Sequence, residues 1–364
     1  MFLQVDLALL LTFIRETITI ASIYAIYVLS LNLEVGYLGL PQFGKVMFLA
    51  LGAFAVGGIA TKIALLLYGG LIESRLGINP LANLNAYCTA YQYQTVDVIK
   101  GVFLSNPLEA VAFFLMALII AAALAGVFGV VMSWPAIRLR EDYLGILLLV
   151  SAETIRVITT YTPQLACGVF GAVVPDPFVW MGDFRPWGYT IVVVLLLVLT
   201  FFVAERLGNS PFGRALRAIR DAETAAAVFG KDIVRFRVRV LAVASALSGV
   251  AGALLAFYNN FVNMGQFVPL YTFYAWLMLI IGGSGNNVGA LVGVGIYYAA
   301  DRLLSLYKEG IRQVVNVDPV FFQYMVFGIV VILVLMFMPQ GVVAERPVKT
   351  LKRRRLEELR REAA

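Results

Sequence analysis

Uninterrupted apolar runs of about 20 residues are the feature that most constrains the fold of this chain. The clearest runs occupy residues 319–338, 188–204 and 108–132. A helix of about 20 apolar residues crosses the roughly 30 Å hydrocarbon core of a bilayer. A membrane β-barrel would instead show alternating segments of about ten residues, and we find none in the sequence. The runs therefore predict an all-α, polytopic membrane protein.

The composition agrees with a membrane protein, because 61% of the 364 residues are hydrophobic and 14% are charged. We expect one transmembrane domain over residues 1–344 and a basic tail over residues 345–364. Residues 1–11 lack the basic region of a cleavable signal, so we interpret the first apolar run as a retained span. Nine transmembrane helices are predicted, at about residues 10–33, 44–68, 107–133, 142–160, 188–206, 235–258, 267–283, 288–306 and 318–338.

Lysine and arginine concentrate in two segments, residues 205–239 and 345–364, which hold 16 of the chain's 28 basic residues. Cytoplasmic loops of membrane proteins carry an excess of Lys and Arg, so we expect both segments, and the C-terminus, in the cytoplasm. Tracing the spans backwards places the N-terminus outside. The tail then anchors on anionic lipid or simply enforces this topology. Because both segments flank spans, we do not expect nucleic-acid binding.

The first of these segments contains an island of charge at residues 210–239, with seven Lys/Arg and three Asp/Glu. Ser210 suits an N-cap before Pro211 and Gly230 suits a C-terminal cap, which predicts a helix of about 18 residues between them. One face of that helix carries a stripe of small or apolar residues at Ala215, Ala218, Ala222, Ala225 and Phe229. A slim face of this kind suits a groove on a soluble partner, and a helix lying against lipid headgroups is the alternative.

A second face of the predicted helix is charged. It carries Arg214, Arg217 and Asp221, with Arg217 and Asp221 at i,i+4 spacing. We therefore expect a cytoplasmic coupling segment at about residues 207–234.

Motifs of nucleotide and metal chemistry are absent from the sequence. There is no G-x-x-x-x-G-K-[ST] phosphate loop, since Gly44-Lys45 is followed by Val46 and Gly230-Lys231 by Asp232. The chain has no histidine, the commonest metal ligand and proton shuttle. We expect a protein that is not an enzyme, with no metal site and no cofactor of its own.

Two further residue pairs are candidates for structure or function. Glu153 and Arg156 lie i,i+3 within the fourth predicted span, where they either line a pathway or form an internal ion pair that fixes helix packing. Cys88 and Cys167, the chain's two cysteines, each lie in a long loop predicted to face outward. A disulfide between them and two unpaired thiols both remain possible.

Four stretches, in order, resemble LivM/LivH-type permeases, the membrane subunits of ABC importers for branched-chain amino acids, and LivM more than LivH. They are LNLEVGYLGLPQFGKVMFLALGAF at 31–54, RLREDYLGILLLVSAETIRVI at 138–158, GRALRAIRDAETAAAVFG at 213–230, and the pair LSGVAGALLAFYNNFV at 247–262 and LMLIIGGSGNNVGALVGVG at 277–295. The sequence departs from the family at Lys45, where His is common, and at Glu141, which replaces a Gly. The loop before the fifth span lacks the family's Gly-rich pattern, so the substrate is less defined than the transporter type.

The resemblance implies an assembly of this chain with a second homologous permease, two ATPase subunits that hold ATP and Mg²⁺, and an extracytoplasmic solute-binding protein. It implies an inner-membrane location and alternating access driven by the ATPases. It also assigns ATPase coupling to one set of residues in the basic segment, namely Arg214, Arg217, Arg220, Asp221, Glu223, Ala225, Ala226 and Gly230.

Glycines beside asparagines are the pathway candidates, because glycine allows close helix contact and broken helices. These candidates are Asn32, Gly36, Gly39, Gly44, Gly282, Gly283, Gly285, Asn286 and Gly289. Plain helix packing is the alternative, and residues 282–289 form either a turn or a re-entrant segment. A pathway with few fixed charges suits a net-neutral, partly apolar solute such as leucine, isoleucine or valine.

Two other functions remain open on the sequence. An ion-coupled secondary transporter or channel for a small neutral solute predicts transport by this chain alone. A scaffold or receptor subunit predicts uptake that does not depend on the helix at residues 211–229.

Overall fold

The computed structural model describes residues 7–79, 82, 84–139, 141–306, 319–345 and 361. Apart from residues 345 and 361, the basic tail predicted at 345–364 lies outside the described residues. The helices in chain order are α1 (Leu7–Asn32), α2 (Val46–Phe54), α3 (Thr61–Leu67), α4 (Gly69–Leu76), α5 (Leu84–Ala86), α6 (Gln92–Ser105), α7 (Pro107–Arg138), α8 (Glu141–Tyr161), α9 (Pro163–Ala166), α10 (Arg185–Asn209), α11 (Pro211–Asp221), α12 (Glu223–Val228), α13 (Ile233–Asn259), α14 (Leu270–Gly282), α15 (Asn287–Leu306) and α16 (Pro319–Phe337).

The remaining ordered elements are short. Wider π-helical turns at Leu33–Tyr37, Ala55–Ala60 and Tyr87–Tyr91 continue α1, join α2 to α3 and precede α6. Three 3-10 turns lie at Gly168–Phe170, Val179–Phe184 and Met264–Gln266, and the strands β1 (Ala172–Val173) and β2 (Phe261–Val262) form one antiparallel pair. The described chain is therefore nearly all-α.

Six helical stretches among the described residues are long and apolar enough to cross a membrane. They are Leu10–Tyr37, Val46–Leu67, Pro107–Pro135, Tyr143–Tyr161, Val179–Asn209 and Ile233–Asn259. Helices α14 and α15 pass the same test only together, with a bend of 114° at the break between them, and make a seventh broken span or a re-entrant pair. The 13 residues of α14 extend only about 20 Å, short of the hydrocarbon thickness. The count of nine spans stays a prediction.

Helix α1 is the centre of the bundle, and its second half is almost wholly buried. Helices α10, α13, α14 and α15 pack around it. Two hydroxyl pairs join it to its neighbours, Thr19 to Thr190 on α10 and Ser30 to Ser248 on α13, each at 2.7 Å between oxygens. Such interhelical hydrogen bonds, with apolar packing on either side, fix α1 against helices distant in sequence.

Small residues let α13 approach its neighbours closely. A Cβ added at Gly252 would lie 1.9 Å from the carbonyl oxygen of Leu49 on α2, and one at Gly249 would lie 2.5 Å from that of Ala121 on α7. Real Cβ atoms do not approach oxygen this closely, so both positions require glycine. Close backbone contact through small residues is the packing mode typical of helices in lipid.

One end of the bundle is closed by a disulfide. Cys88 and Cys167 are joined with their Cα atoms 5.2 Å apart, so the structure takes the paired alternative. The buried side chain of Gln92 donates to the carbonyls of Cys88 and Gly171 and accepts from the backbone N–H of Val173, on β1. We call this the disulfide end of the bundle; α1 begins there and runs to the opposite end.

Candidate functional site

The basic island lies at the opposite end and folds as two short helices, α11 and α12, rather than as the single helix predicted. Ser210 caps α11 through a hydrogen bond from the Gly213 N–H to its side-chain oxygen, at 3.2 Å. The backbone becomes extended at Ala222 (φ −158°, ψ 87°), and Glu223 then starts α12, where an acidic side chain favours a helix N-terminus. Gly230 follows α12 with φ +73°, the left-handed conformation of a C-terminal cap. We call α11 and α12 the basic helix pair.

The basic helix pair buries one face and leaves the predicted small-residue stripe largely open. Leu216 and Ile219 are buried in a cluster that includes Leu33 and Tyr37 at the end of α1. In the predicted stripe Ala215 is buried, whereas Ala218, Ala222 and Ala225 are exposed and Phe229 is 82% exposed. The break at Ala222 separates the stripe into two parts, so it does not form the one continuous face predicted.

Arg217 and Asp221, although spaced i,i+4, make contacts with different partners. The Arg217 side chain turns towards the bundle, where it donates to the Gly208 carbonyl at 2.8 Å and lies 5.1 Å from the centre of the Tyr37 ring. Its Nε is 3.4 Å from a carboxylate oxygen of Glu345. Asp221 instead pairs with Arg220, at 3.0 Å.

Arg220 connects the basic helix pair to the interior. Its guanidinium lies 3.0 Å from the second carboxylate oxygen of Glu345 and donates to the backbone carbonyl of Gly36. A Cβ added at Gly39 would lie 2.7 Å from the Arg220 side chain. Glu345, which follows α16, is therefore held by Arg217 and Arg220 together.

Glu345 also touches the break between α14 and α15. Gly285 has φ +79°, and a Cβ added there would lie 2.8 Å from the Glu345 carboxyl carbon. The Gly285 N–H donates to Asn32 Oδ1 at 2.8 Å, and Asn32 donates to Asn287 Oδ1 at 2.9 Å. Asn287 in turn donates to Glu205 at 3.0 Å. We call the residues joined in this way the Glu345 network: Asn32, Gly36, Glu205, Arg217, Arg220, Gly285, Asn287 and Glu345.

The other pathway candidates at the break are closely packed. The carbonyls of Ile281 and Gly282 accept from the N–H groups of Val342 and Val343, each at 2.9 Å, so the segment after α16 caps the end of α14. Gly282 and Gly289 meet backbone to backbone, Gly283 lies against Val343, and Asn286 donates to the Ala344 carbonyl. Gly44 is the exception, since it lies against Leu148 on α8. The structure thus brings eight of the nine pathway candidates into one closely packed joint.

Among the coupling candidates, Arg214 is exposed at α11, Glu223 pairs with Arg237 on α13 at 2.9 Å, and Ala226 is buried beneath α12. Ala225 and Gly230 face outward. The coupling set therefore divides into residues that hold the basic helix pair to the bundle and residues that remain accessible at its surface.

Sequence reasoning missed a second charge pair, Glu34 with Lys45. Their Nζ and Oε2 atoms are 2.8 Å apart and both side chains are fully buried. Lys45 also donates to the Ala244 carbonyl at 3.4 Å, so the pair ties the end of α1 to the start of α2 and to α13. The available signal was two opposite charges 11 residues apart at the junction of the first two predicted spans.

Glu153 and Arg156 form an ion pair on α8, with 2.9 Å between Arg156 Nε and Glu153 Oε2. Arg156 also donates to the Gly265 carbonyl at 3.4 Å, which places the pair towards the disulfide end and apart from the Glu345 network. The pair is partly exposed, whereas Glu34 and Lys45 are not.

Comparisons with known proteins agree with the resemblance drawn from the four stretches. A family model described as the permease component of the branched-chain amino acid transport system matches residues 13–335. The chain is 35% identical over 332 residues to the probable branched-chain amino acid transport permease protein LivM of Methanocaldococcus jannaschii, covering 90% of this chain and 92% of that protein. It is 25% identical to the high-affinity branched-chain amino acid permease protein LivM of Escherichia coli, over 64% of this chain and 58% of that protein.

A LivH protein is a more distant relative. The probable branched-chain amino acid transport permease protein LivH of Methanocaldococcus jannaschii is 32% identical over 34% of this chain and 40% of that protein. No solved structure gives a significant match. The expected likeness to LivM-type permeases, stronger than that to LivH, is confirmed.

Proposed function

Because the chain belongs to the branched-chain amino acid transport permease family, we propose that it is a membrane-spanning subunit of an ATP-driven importer of leucine, isoleucine and valine. It sits in the inner membrane with its C-terminus in the cytoplasm and its N-terminus outside. It works with a second homologous permease, two ATPase subunits that bind ATP and Mg²⁺, and an extracytoplasmic solute-binding protein. The chain itself has no ATPase site.

The observation that carries this proposal is that the basic helix pair is attached to the bundle on one side and exposes an apolar surface on the other. Its outer surface exposes Ala225, Val228 and Phe229, an apolar patch unusual at a polar membrane surface and suited to a groove on a soluble subunit. Its inner surface contacts the Glu345 network through Arg217 and Arg220. A partner that displaces the pair therefore acts directly on the joint between α1, α14 and α15.

Alternating access follows from this attachment. When the ATPase subunits close, they shift the basic helix pair, and Arg217 and Arg220 carry the displacement to Glu345. Glu345 lies against Gly285 at the break of α14 and α15, and Asn32 links that break to α1. Since α1 is the central helix, its movement changes the packing of the helices around it and exchanges outward-open for inward-open states.

The test is reconstitution of the chain with its second permease, the ATPases and the binding protein in proteoliposomes, followed by ATP-dependent uptake of labelled leucine. Phe229→Asp places a charge in the proposed ATPase contact, so we expect co-purification of the ATPases to weaken at least about tenfold, and uptake with it. Phe229 is a better probe than Arg217, whose loss would also disturb contacts within the chain.

The matched control is Tyr93→Asp. Tyr93 is also an exposed aromatic residue, 69% exposed, but it lies at the disulfide end. We expect it to leave ATPase association unchanged. Normal ATPase association and uptake in Phe229→Asp would contradict docking on the basic helix pair.

An ion-coupled secondary transporter or channel is the competing function, and the fully buried Glu34–Lys45 pair favours it, because ionisable residues within membranes often mark ion pathways. It predicts leucine uptake by this chain without ATPases, driven by a proton or sodium gradient. The same proteoliposomes distinguish the two functions when ATPase subunits are omitted.

A further inference from the structure

A polar cavity of about 500 Å³ opens at the disulfide end, on the far side of the molecule from the Glu345 network. It lies between the first turns of α1, the start of α10, the end of α13 and the loop that follows β1. Four charged side chains line it, two basic and two acidic: Arg15, Glu16, Asp176 and Arg185. Its volume lies within the range of sites that bind small molecules.

The four charges are held in place from different elements. Arg185 pairs with Asp176, which is buried and also accepts a hydrogen bond from the Phe178 N–H at 2.9 Å. Arg15 and Glu16 are 3.5 Å apart at their closest N and O atoms. The looser pair leaves charge available for a ligand, whereas the Asp176 pair anchors one wall.

Hydroxyl groups lie deeper in the same cavity. The Thr19 and Thr190 hydroxyl oxygens are 2.7 Å apart, and each hydroxyl can also donate to the carbonyl oxygen four residues earlier in its own helix, at 2.8 Å. Tyr258 and Phe257 add aromatic surface. The cavity therefore offers both signs of charge, no net charge, and an aromatic wall.

A second cavity of about 180 Å³ adjoins the first, and Asn259 lines both. Its lining includes Ile20, Leu255, Phe267 and Tyr271, together with amide side chains. An apolar group attached to a ligand in the polar cavity can reach this surface, because the two linings are adjacent along α1 and α13.

We propose that the polar cavity is a binding site for a free α-amino acid in its zwitterionic form, with the carboxylate at Arg15 and the ammonium at Glu16, against the wall that the Asp176–Arg185 pair forms. The aliphatic side chain occupies the adjoining cavity. This site rests on the proposed function and adds to it a place where the solute meets the chain on the outer side. A ligand without one of its two charges leaves a protein charge unpaired, which is why such a site selects free amino acids.

The test uses a single engineered thiol. Both natural cysteines are in the disulfide, so Asn259→Cys introduces the one free thiol at the wall shared by the two cavities. The variant complex, purified without its binding protein, is labelled with a membrane-impermeant maleimide in the presence of L-leucine, of leucinamide, which lacks the carboxylate, or of 4-methylpentanoate, which lacks the ammonium. The matched control is Ser74→Cys, an exposed position on α4 away from the cavity.

We expect millimolar leucine to slow labelling at position 259 but not at position 74, and each analogue to need at least about tenfold more for the same effect. Glu16→Gln should reduce the difference between the protecting concentrations of leucine and 4-methylpentanoate, and leave the difference between leucine and leucinamide unchanged. Arg15→Gln should reduce the difference between the protecting concentrations of leucine and leucinamide, and leave the difference between leucine and 4-methylpentanoate unchanged. We call these two opposite results the crossed pattern. A purely structural role for either side chain would not produce this crossed pattern.

Equal protection by all three compounds, no protection, or protection unchanged in both variants would overturn the proposal. Protection that appears only on adding solute-free binding protein would also overturn it, by assigning the surface to protein docking. Labelling needs neither ATP nor transport, so it tests the site separately from the transporter. If ATP-dependent uptake fails but the crossed pattern is observed, the proposed function is refuted and the site is not. Normal uptake with a flat labelling pattern refutes the site alone.

Discussion

Lys45→Met tests how much the fully buried Glu34–Lys45 ion pair matters for stability. The variant leaves the Glu34 carboxylate in the core without its partner, and one of its oxygens already lacks a hydrogen bond. Breaking a buried pair from one side costs about 3–5 kcal/mol, because the remaining charge is uncompensated, whereas replacing both partners with neutral side chains is close to neutral. Glu34→Gln should therefore rescue Lys45→Met.

The measurement is the apparent thermal unfolding midpoint of the purified chain in detergent, for both single variants and the double variant. At about 2 °C per kcal/mol, each single variant should unfold about 6–10 °C below wild type. With the same conversion of free energy to temperature, the double variant should unfold within about 3 °C of wild type.

Arg235→Met is the matched control, because Arg235 and Asp232 have the same 2.8 Å separation as Lys45 and Glu34 but are 75% and 47% exposed. An exposed pair contributes at most about 1 kcal/mol, so its midpoint should move by about 2 °C or less. A double variant whose loss equals the sum of the two single losses would refute the reasoning, since the two side chains would then act independently.

Three further predictions follow from single contacts. Replacing Cys88 and Cys167 with serine opens a loop closed over 79 residues and should lower stability by about 2–4 kcal/mol, seen as a lower unfolding midpoint. Gly285→Ala introduces a methyl group against Glu345 at a positive φ, so we expect ATP hydrolysis to continue while leucine uptake falls; equal loss of both would contradict a coupling role. Burial raises the pKa of the Asp176 carboxyl, so folding favours its protonated form. Wild type should therefore lose stability relative to Asp176→Asn as the pH rises through that raised pKa, and the unfolding midpoints of both proteins from about pH 4 to about pH 8 test this.

Features set by neighbouring residues could be predicted from the sequence. The caps at Ser210 and Gly230 depend on local backbone geometry, and the structure has both. The long apolar helices follow from composition over about 20 residues, which is why six of them lie where spans were predicted. The break at Ala222 was not predicted, because the residues on both sides of it favour helix.

Partners distant in sequence could not be predicted. The sequence places Arg217 on a charged helix face, but it does not reveal that the side chain meets Glu345, which follows the last described helix. The two cysteines left both alternatives open, because a sequence carries no distance between loops. In the sequence Lys45 is a departure from a family pattern, and its role depends on Glu34, which the fold brings alongside it.

The two charge clusters at the end of α1 differ in how easily they can exchange partners. Glu34 and Lys45 have no access to water, so separating them exposes each to an apolar interior, and they hold α1, α2 and α13 as one body. Glu345 is 28% exposed and has two arginine partners, so losing one contact leaves it both a second partner and water. When the basic helix pair is displaced, we therefore expect the contacts of Glu345 to rearrange. The junction of α1 and α2 should move as a rigid unit. For that reason, conservative changes at Glu345 should alter the coupling of ATP hydrolysis to uptake more than they alter stability, whereas changes at Lys45 should do the reverse.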